Sequence, residues 1–238
     1  MIGTGEFRGF FPETLKFYEE LRENNDKYWF ENHRKDYDKF VIDPAKAFVS
    51  AMGERLRDLS PDIHAVPKVD GSIFRIYRDV RFSPDKSPFK THLGILLWEG
   101  TRKKMECSGY YLQIEPSVFW FGGGMYQIPD DMLSFYRDNV VDGKYGSELA
   151  KAVREVTDKG FVIGGSHYKR TPRGYDPSHK NAVLLLYKGL WAGIEEKIPT
   201  QFFSSEFVEH CFKRFKDSAP LHRWLVGLLE RDNERKIS

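Results

Sequence analysis

Along this chain the apolar positions recur first at helical spacing, then in alternation, then mostly at helical spacing again. From Pro12 to about Asn24, "PETLKFYEELREN" sets proline at a first helical position and Leu15, Tyr18 and Leu21 three residues apart, which predicts a helix. The run "NNDKYWFENHRKDYDKF" carries Phe30, His33, Tyr37 and Phe40 along one side of a second helix, and a third begins near Pro44 and runs to about Leu59. His33 on that stripe reads as a packed, hydrogen-bonded core histidine. After the turn signal "DGS" the period changes to two. In "SIFRIYRDVRF" alternation assigns Ile76, Val80 and Phe82 to one face of a strand and Arg75, Tyr77, Asp79 and Arg81 to the other, with Arg78 on the apolar side.

"HLGILLW" (92–98) and the aromatic hairpin "GYYLQIEPSVFWFGGG" (109–124), turning near Glu115-Pro116-Ser117, extend this sheet. Gly122-Gly123-Gly124 reads mainly as a bulge or turn, since "MYQIP" separates it from the next helix. Helices are expected at about 130–140 and 147–158, the second ended by Gly160, followed by a short strand at 161–163. Asp176-Pro177 reads as the N-cap and first turn of a helix through about Tyr187. "LWAGIEEKI" supplies a last strand, and two helices near 205–216 and 219–231 close the chain. The expected fold class is α+β: one domain spanning 1–238, in which a mostly antiparallel sheet (about 72–124) is packed by a helical N-terminal part (about 12–59) and a mixed helical C-terminal part (about 130–231).

The 238 residues include 36 aromatics, enough apolar surface for a sizeable core. No apolar run of about 18 residues and no leader pattern is present, so the expectation is a soluble, cytoplasmic protein with no membrane partner. Cys107 and Cys211 belong to no C-x-x-C pair and read as packing residues. The formal net charge of +2 is too small to mark a chain that is basic all over. Its distribution is more informative. Residues 75–90 carry five Lys/Arg against two Asp, residues 167–180 carry Lys169, Arg170, Arg173 and Lys180 against Asp176, and the two islands of +3 leave −4 for everything else.

Two readings of the first island stand side by side. In one, its charges form ion pairs and discourage edge-to-edge strand pairing; Asp79 or Glu115 would then hold Arg78, which alternation turns toward the core. In the other, Arg75, Arg78, Arg81, Lys86 and Lys90 line one wall of an anion pocket, since guanidinium forks match phosphate and carboxylate oxygens and lysine adds a point charge. Lys169, Arg170 and Arg173, preceding the expected helix N-terminus at Asp176, would supply the opposite wall. The ligand class is a phosphorylated small molecule or nucleotide. Asp79 and His92 are the candidate general bases for phosphoester chemistry.

Tyr77, Tyr110, Tyr111, Trp120 and Tyr175 near the islands make a nucleic-acid-binding module an alternative, through base stacking. A non-enzymatic interaction protein is a third reading. The chain has no G-x-x-x-x-G-K-[ST], H-E-x-x-H, G-x-S-x-G or G-x-G-x-x-G motif and no histidine spacing typical of metal ligands, so no cofactor or metal is called for.

Arg75, Arg78, Asp79, Arg81, Phe82, Asp85 and Lys86 fit the pattern R-x-x-R-D-x-R-F-x-x-[DN]-K-x-x-Y, with Phe89 in the place of its tyrosine. The chain in this respect resembles a widespread bacterial family catalogued as domain of unknown function 2461. "ENNDKYWFENHRKDY", "YYLQIEP", "GGGMY" and "KRTPRGYDPSH" are similar to it as well, so the resemblance covers nearly the whole chain. It implies one domain of about this length in a bacterial cytoplasm, and assigns no activity.

Overall fold

A computed structural model describes residues 6–237. Among the described residues the leading helices are α1 (Pro12–Glu23), α2 (Lys27–Asn32) and α3 (Asp43–Leu56), with a single helical turn, Arg34–Asp36, between the last two. Between α2 and α3 the expected continuous helix breaks at His33 and passes through a wide π-helical stretch, Tyr37–Ile42. The Thr14 hydroxyl of α1 donates to the Phe40 carbonyl oxygen there at 2.6 Å, giving the loosened turn a partner. His33 is hydrogen-bonded, as expected, but half-buried rather than part of a core: it stacks on the equally half-buried Trp29 and bonds through Nδ1 to the Trp29 carbonyl.

The sheet is five-stranded and antiparallel, ordered β1-β2-β3-β5-β4: β1 (Leu93–Glu99), β2 (Ser108–Ile114), β3 (Val118–Met125), β4 (Val162–Ser166) and β5 (Tyr187–Lys197). The N- and C-terminal helices pack on it, so the class is α+β. The hairpin turn falls at 115–118, where the Glu115 amide donates to the Val118 carbonyl. Helices α4 (Leu133–Val141) and α5 (Tyr145–Thr157) precede β4, and α6 (Phe207–Ile237) closes the chain. Among the described residues no helix is long and apolar enough to cross a membrane.

Four expectations are corrected. Residues 75–82 form no strand; apart from isolated bridges the segment is irregular. No helix starts at Asp176: its carboxylate accepts from the Ser178 amide and hydroxyl, a local turn that competes with helix initiation, and only a 3₁₀ stretch, Ala182–Leu186, forms before β5. The two closing helices are one, with Pro220 inside it. The glycine run, read as a bulge or turn, lies within β3 and makes no turn. A Cβ on Gly123 would meet Ser218 Oγ at 2.3 Å, and Gly124 has φ +138° and would meet the Leu190 carbonyl oxygen at 2.5 Å, so close backbone approach accounts for both.

The chain divides into two compact units. One comprises the chain up to Leu97 with Tyr111–Phe121 and Glu195–Lys213; the other comprises Trp98–Tyr110, Gly122–Ile194 and the chain from Arg214 onward. The first unit's core is aromatic, with Phe17, Tyr18, Phe30, Phe48 and Phe207 all but inaccessible. The second is built on Met125, Tyr136, Leu149, Leu190, Trp224 and Leu228. Each cysteine sits buried, Cys211 in the first unit and Cys107 in the second, and burial raises the pKa of both thiols.

Candidate functional site

The first basic island folds as a short, irregular hairpin in the first unit. The Arg78 amide donates to the Pro88 carbonyl (2.9 Å), the Lys90 amide donates to the Ile76 carbonyl (2.8 Å), and Tyr77 bridges Phe89. Its root joins β1, where the Phe74 amide donates to Gly94 and the Leu96 amide to Ser72. A single side chain, Asn25, binds the returning arm in both senses, donating to the Phe89 carbonyl and accepting from its amide at 3.0 Å each. Phe89 itself is buried against Phe30, with centroids 4.4 Å apart, and beside Tyr77 at 5.2 Å. The returning arm is thus fixed by a wholly apolar anchor.

Arg78 is held by an acid, and the acid is Asp85 rather than Asp79 or Glu115. Its guanidinium bonds the Asp85 carboxylate, donates to the Ser87 carbonyl oxygen at 3.2 Å and reaches Ser83 Oγ at 3.4 Å. Asp85 also accepts from the Ser87 hydroxyl and amide, and these bonds, with Arg78, hold its carboxyl at about 2. Arg78 therefore closes the loop 79–87 from inside, with 26% of its side chain exposed. Arg78→Ala should cost about 1–2 kcal/mol of stability, since a charge-assisted and a carbonyl bond are lost together. Arg78→Lys should restore only part of it, because one ammonium cannot span the three acceptors. Denaturant midpoints of the two variants read both effects.

Of the remaining members of the island, Arg75, Asp79, Arg81 and Lys86 are exposed and Lys90 is half-buried. Arg81 and Asp79 form a bidentate pair, Nε to Oδ1 at 2.9 Å and a terminal nitrogen to Oδ2 at 2.7 Å. Arg81 holds the Asp79 carboxyl at about 2, which makes Asp79 a weak base. Lys86 Nζ donates to the Val80 carbonyl oxygen at 2.9 Å, and Lys90 Nζ to that of Arg75 at 3.0 Å. Arg75 is exposed and makes no ion pair with any described residue. Phe82, assigned by alternation to an apolar face, is 94% exposed at the loop tip.

Beside this hairpin, the less buried face of β2 and β3 carries a polar chain that the sequence reading did not assemble. The Tyr111 hydroxyl donates to Gln113 Oε1 (2.9 Å), Gln113 Nε2 to Glu115 Oε1 (2.8 Å), and an Arg22 terminal nitrogen to Glu115 Oε2 (2.7 Å). Alternation along β2 places 111, 113 and 115 on one side, but nothing local indicated that Arg22 of α1 would close the chain. His92, the other expected base, lies within the electrostatic reach of Glu115, Lys90 and Arg22. Burial lowers its pKa and the two cations lower it further, against the opposing pull of Glu115. Phe74 and Trp120 flank Tyr111 at ring distances of 6.0 and 5.8 Å, and Lys90 Nζ lies 5.3 Å from the Phe74 centroid. Lys90 and His92 thus share a neighbourhood with Arg22 and Glu115, while the Arg75 guanidinium acts on Asp79.

The second island lies in the other unit. Lys169, Arg170 and Arg173 are exposed on an irregular segment, and Lys180 Nζ donates to Ser147 Oγ at 3.2 Å. Tyr175 is tied to α4, its hydroxyl donating to Asp138 Oδ1 at 2.8 Å. Burial and that carboxylate push its pKa up to about 12.

No curated protein matches this sequence significantly. The family model described as "Conserved hypothetical protein (DUF2461)" matches residues 13–224, a span that includes the hairpin, the polar chain on β2 and the second basic segment. The chain belongs to the DUF2461 family of conserved hypothetical proteins.

Proposed function

We propose that the first unit binds an anionic, phosphoryl-bearing ligand at the hairpin of residues 75–90, with Arg75, Arg81, Lys86 and Lys90 as the contacting cations. The observation that carries this reading is Arg75: an exposed guanidinium with no ion pair among the described residues, on a segment that Arg78, Asn25 and Phe89 hold in shape. Arg81 is available as well. Its pair with Asp79 is solvent-exposed and screened by water, so a phosphate competes readily with the carboxylate. Arg78 serves by shaping the loop. For phosphoester chemistry His92 is the suited base, since it stays neutral at pH 7 next to cations that stabilise developing negative charge.

The test is a thermal-shift panel of nucleotides, sugar phosphates and pyrophosphate. A ligand present at a hundred times its dissociation constant stabilises by roughly 2.7 kcal/mol. At least one member is expected to raise the melting temperature of the wild type and to lose that effect in Arg75→Ala/Arg81→Ala. Equal shifts in both proteins contradict the reading.

Phe82 favours a second reading, a single-stranded nucleic acid tracked by the same cations, because an exposed ring between Arg81 and Lys86 is a platform for a base. The salt slope separates the two. A strand contacting several phosphates loses affinity steeply between about 50 and 200 mM salt, whereas one phosphoryl group gives a shallow dependence.

A further inference from the structure

In the second unit the segment from Tyr168 to Tyr175 is moored to α4 at both ends. At one end the Arg137 guanidinium carbon lies 4.8 Å from the centroid of the Tyr168 ring. At the other, the Tyr175 hydroxyl bonds Asp138 Oδ1, with the Ser134 carbonyl oxygen 3.3 Å away. Between the moorings run Lys169, Arg170, Thr171, Pro172, Arg173 and Gly174. The Tyr175 amide donates to the Pro172 carbonyl at 3.3 Å and Gly174 has φ +89°, so Arg173 sits at the tip of a tight turn.

Arg137 is the unusual member. Its Nε is shut away from solvent with no hydrogen-bond partner, and the side chain forms no ion pair with any described residue. Asp138, the adjacent acid, is engaged by Tyr175. A native structure rarely leaves a buried donor unanswered. With Nε enclosed, the edge left for a ligand is the pair of terminal nitrogens, the fork that meets two oxygens of one group. Lys169, Arg170 and Arg173 are exposed on the moored segment and likewise form no ion pair with any described residue.

We infer that Arg137, the Tyr168 ring and the cations of residues 169–173 form a second anion site, selective for a doubly charged phosphoryl group over a single carboxylate. Four positive charges without paired acids favour the dianion, and the Tyr168 ring beside the guanidinium carbon shelters the fork that would meet two of its oxygens. This site stands independently of the reading given for the first unit, because no residue is shared.

Calorimetric titration of the full chain with pyrophosphate, and with acetate at matched ionic strength, tests it. Arg137→Gln and, on the exposed turn, Arg173→Ala are each expected to weaken one pyrophosphate site by about tenfold or more, the loss of one charge-assisted contact. Arg75→Ala/Arg81→Ala should leave that site as it is. If only the Arg75/Arg81 variant loses binding, or if the wild type shows no saturable binding, this inference is overturned while the first unit is judged separately. If only the Arg137 and Arg173 variants lose binding, the inference stands and the first-unit reading falls. Acetate binding as tightly as pyrophosphate would overturn the selectivity claimed.

Discussion

Replacing His222 with alanine is expected to cost about 3–5 kcal/mol, the range for emptying a large core side chain. His222 is wholly buried in the second unit. Its Nδ1 lies 2.9 Å from the Ser108 hydroxyl, its Nε2 3.0 Å from Glu99 Oε2, and its ring packs on Tyr110 at 4.4 Å. Alanine leaves a cavity, removes the partner of a buried hydroxyl and withdraws a donor from a carboxylate that is only 14% exposed. Ser108→Ala should cost less, about 1–2 kcal/mol, and the double variant should cost less than the sum, because both changes break one network.

The same residue gives stability a pH dependence of known sign. Burial lowers the His222 pKa below its ordinary 6.5, against the opposing pull of Glu99. Below about pH 6.5 the unfolded chain takes up a proton that the folded chain resists, so this contribution is complete above that pH and fades as pH falls. His92 acts in the same direction. Melting temperatures measured from pH 7.5 down to 5.5 should decline in the wild type and decline less in His222→Gln.

Phe89→Ala is the second large effect expected, again about 3–5 kcal/mol. The ring is 1% exposed, stacks on Phe30 and lies beside Tyr77, while its backbone is clasped by Asn25. The contrast within one motif is diagnostic. Phe82, seven residues away and almost fully exposed, should tolerate alanine within about 0.5 kcal/mol. Urea midpoints decide the matter: equal costs at the two positions would mean that the hairpin packs otherwise than described.

The leading helix, the 109–124 hairpin and the final strand were legible because periodicity there coincides with burial: Tyr18 and Leu21 on α1, and Leu112, Ile114, Phe119 and Phe121 on the strands, all point into cores. The segment 75–82 misled because its composition suits a strand while its partners do not. Pro84 and Pro88 curtail pairing, and Arg78 finds its acid seven residues ahead, in its own loop. Asp176 misled in the opposite direction, since an N-cap side chain serves a turn equally well when the following chain must reach β5. Pro220 reads as a break, yet the helix continues through it, with Ala219 and Leu221 both buried.

For the candidate site, the cations were visible as a cluster in the sequence, and the identity of Arg78's partner was not. The chain Arg22–Glu115–Gln113–Tyr111 joins residues 93 apart and carries no local signal at all. Arg137 was equally silent: a lone arginine on a helix becomes notable only when its neighbours prove to be rings and its acid neighbour proves to be taken.

The central claim is that the hairpin of residues 75–90 holds a phosphoryl group. A crystal structure grown with pyrophosphate tests it most directly. The account predicts phosphate oxygens within hydrogen-bonding distance of the Arg75 and Arg81 guanidinium groups, with Asp79 released from Arg81 and the Arg78–Asp85 pair intact. Occupied pyrophosphate elsewhere, with Arg75 free and the Arg81–Asp79 pair unbroken, would contradict it.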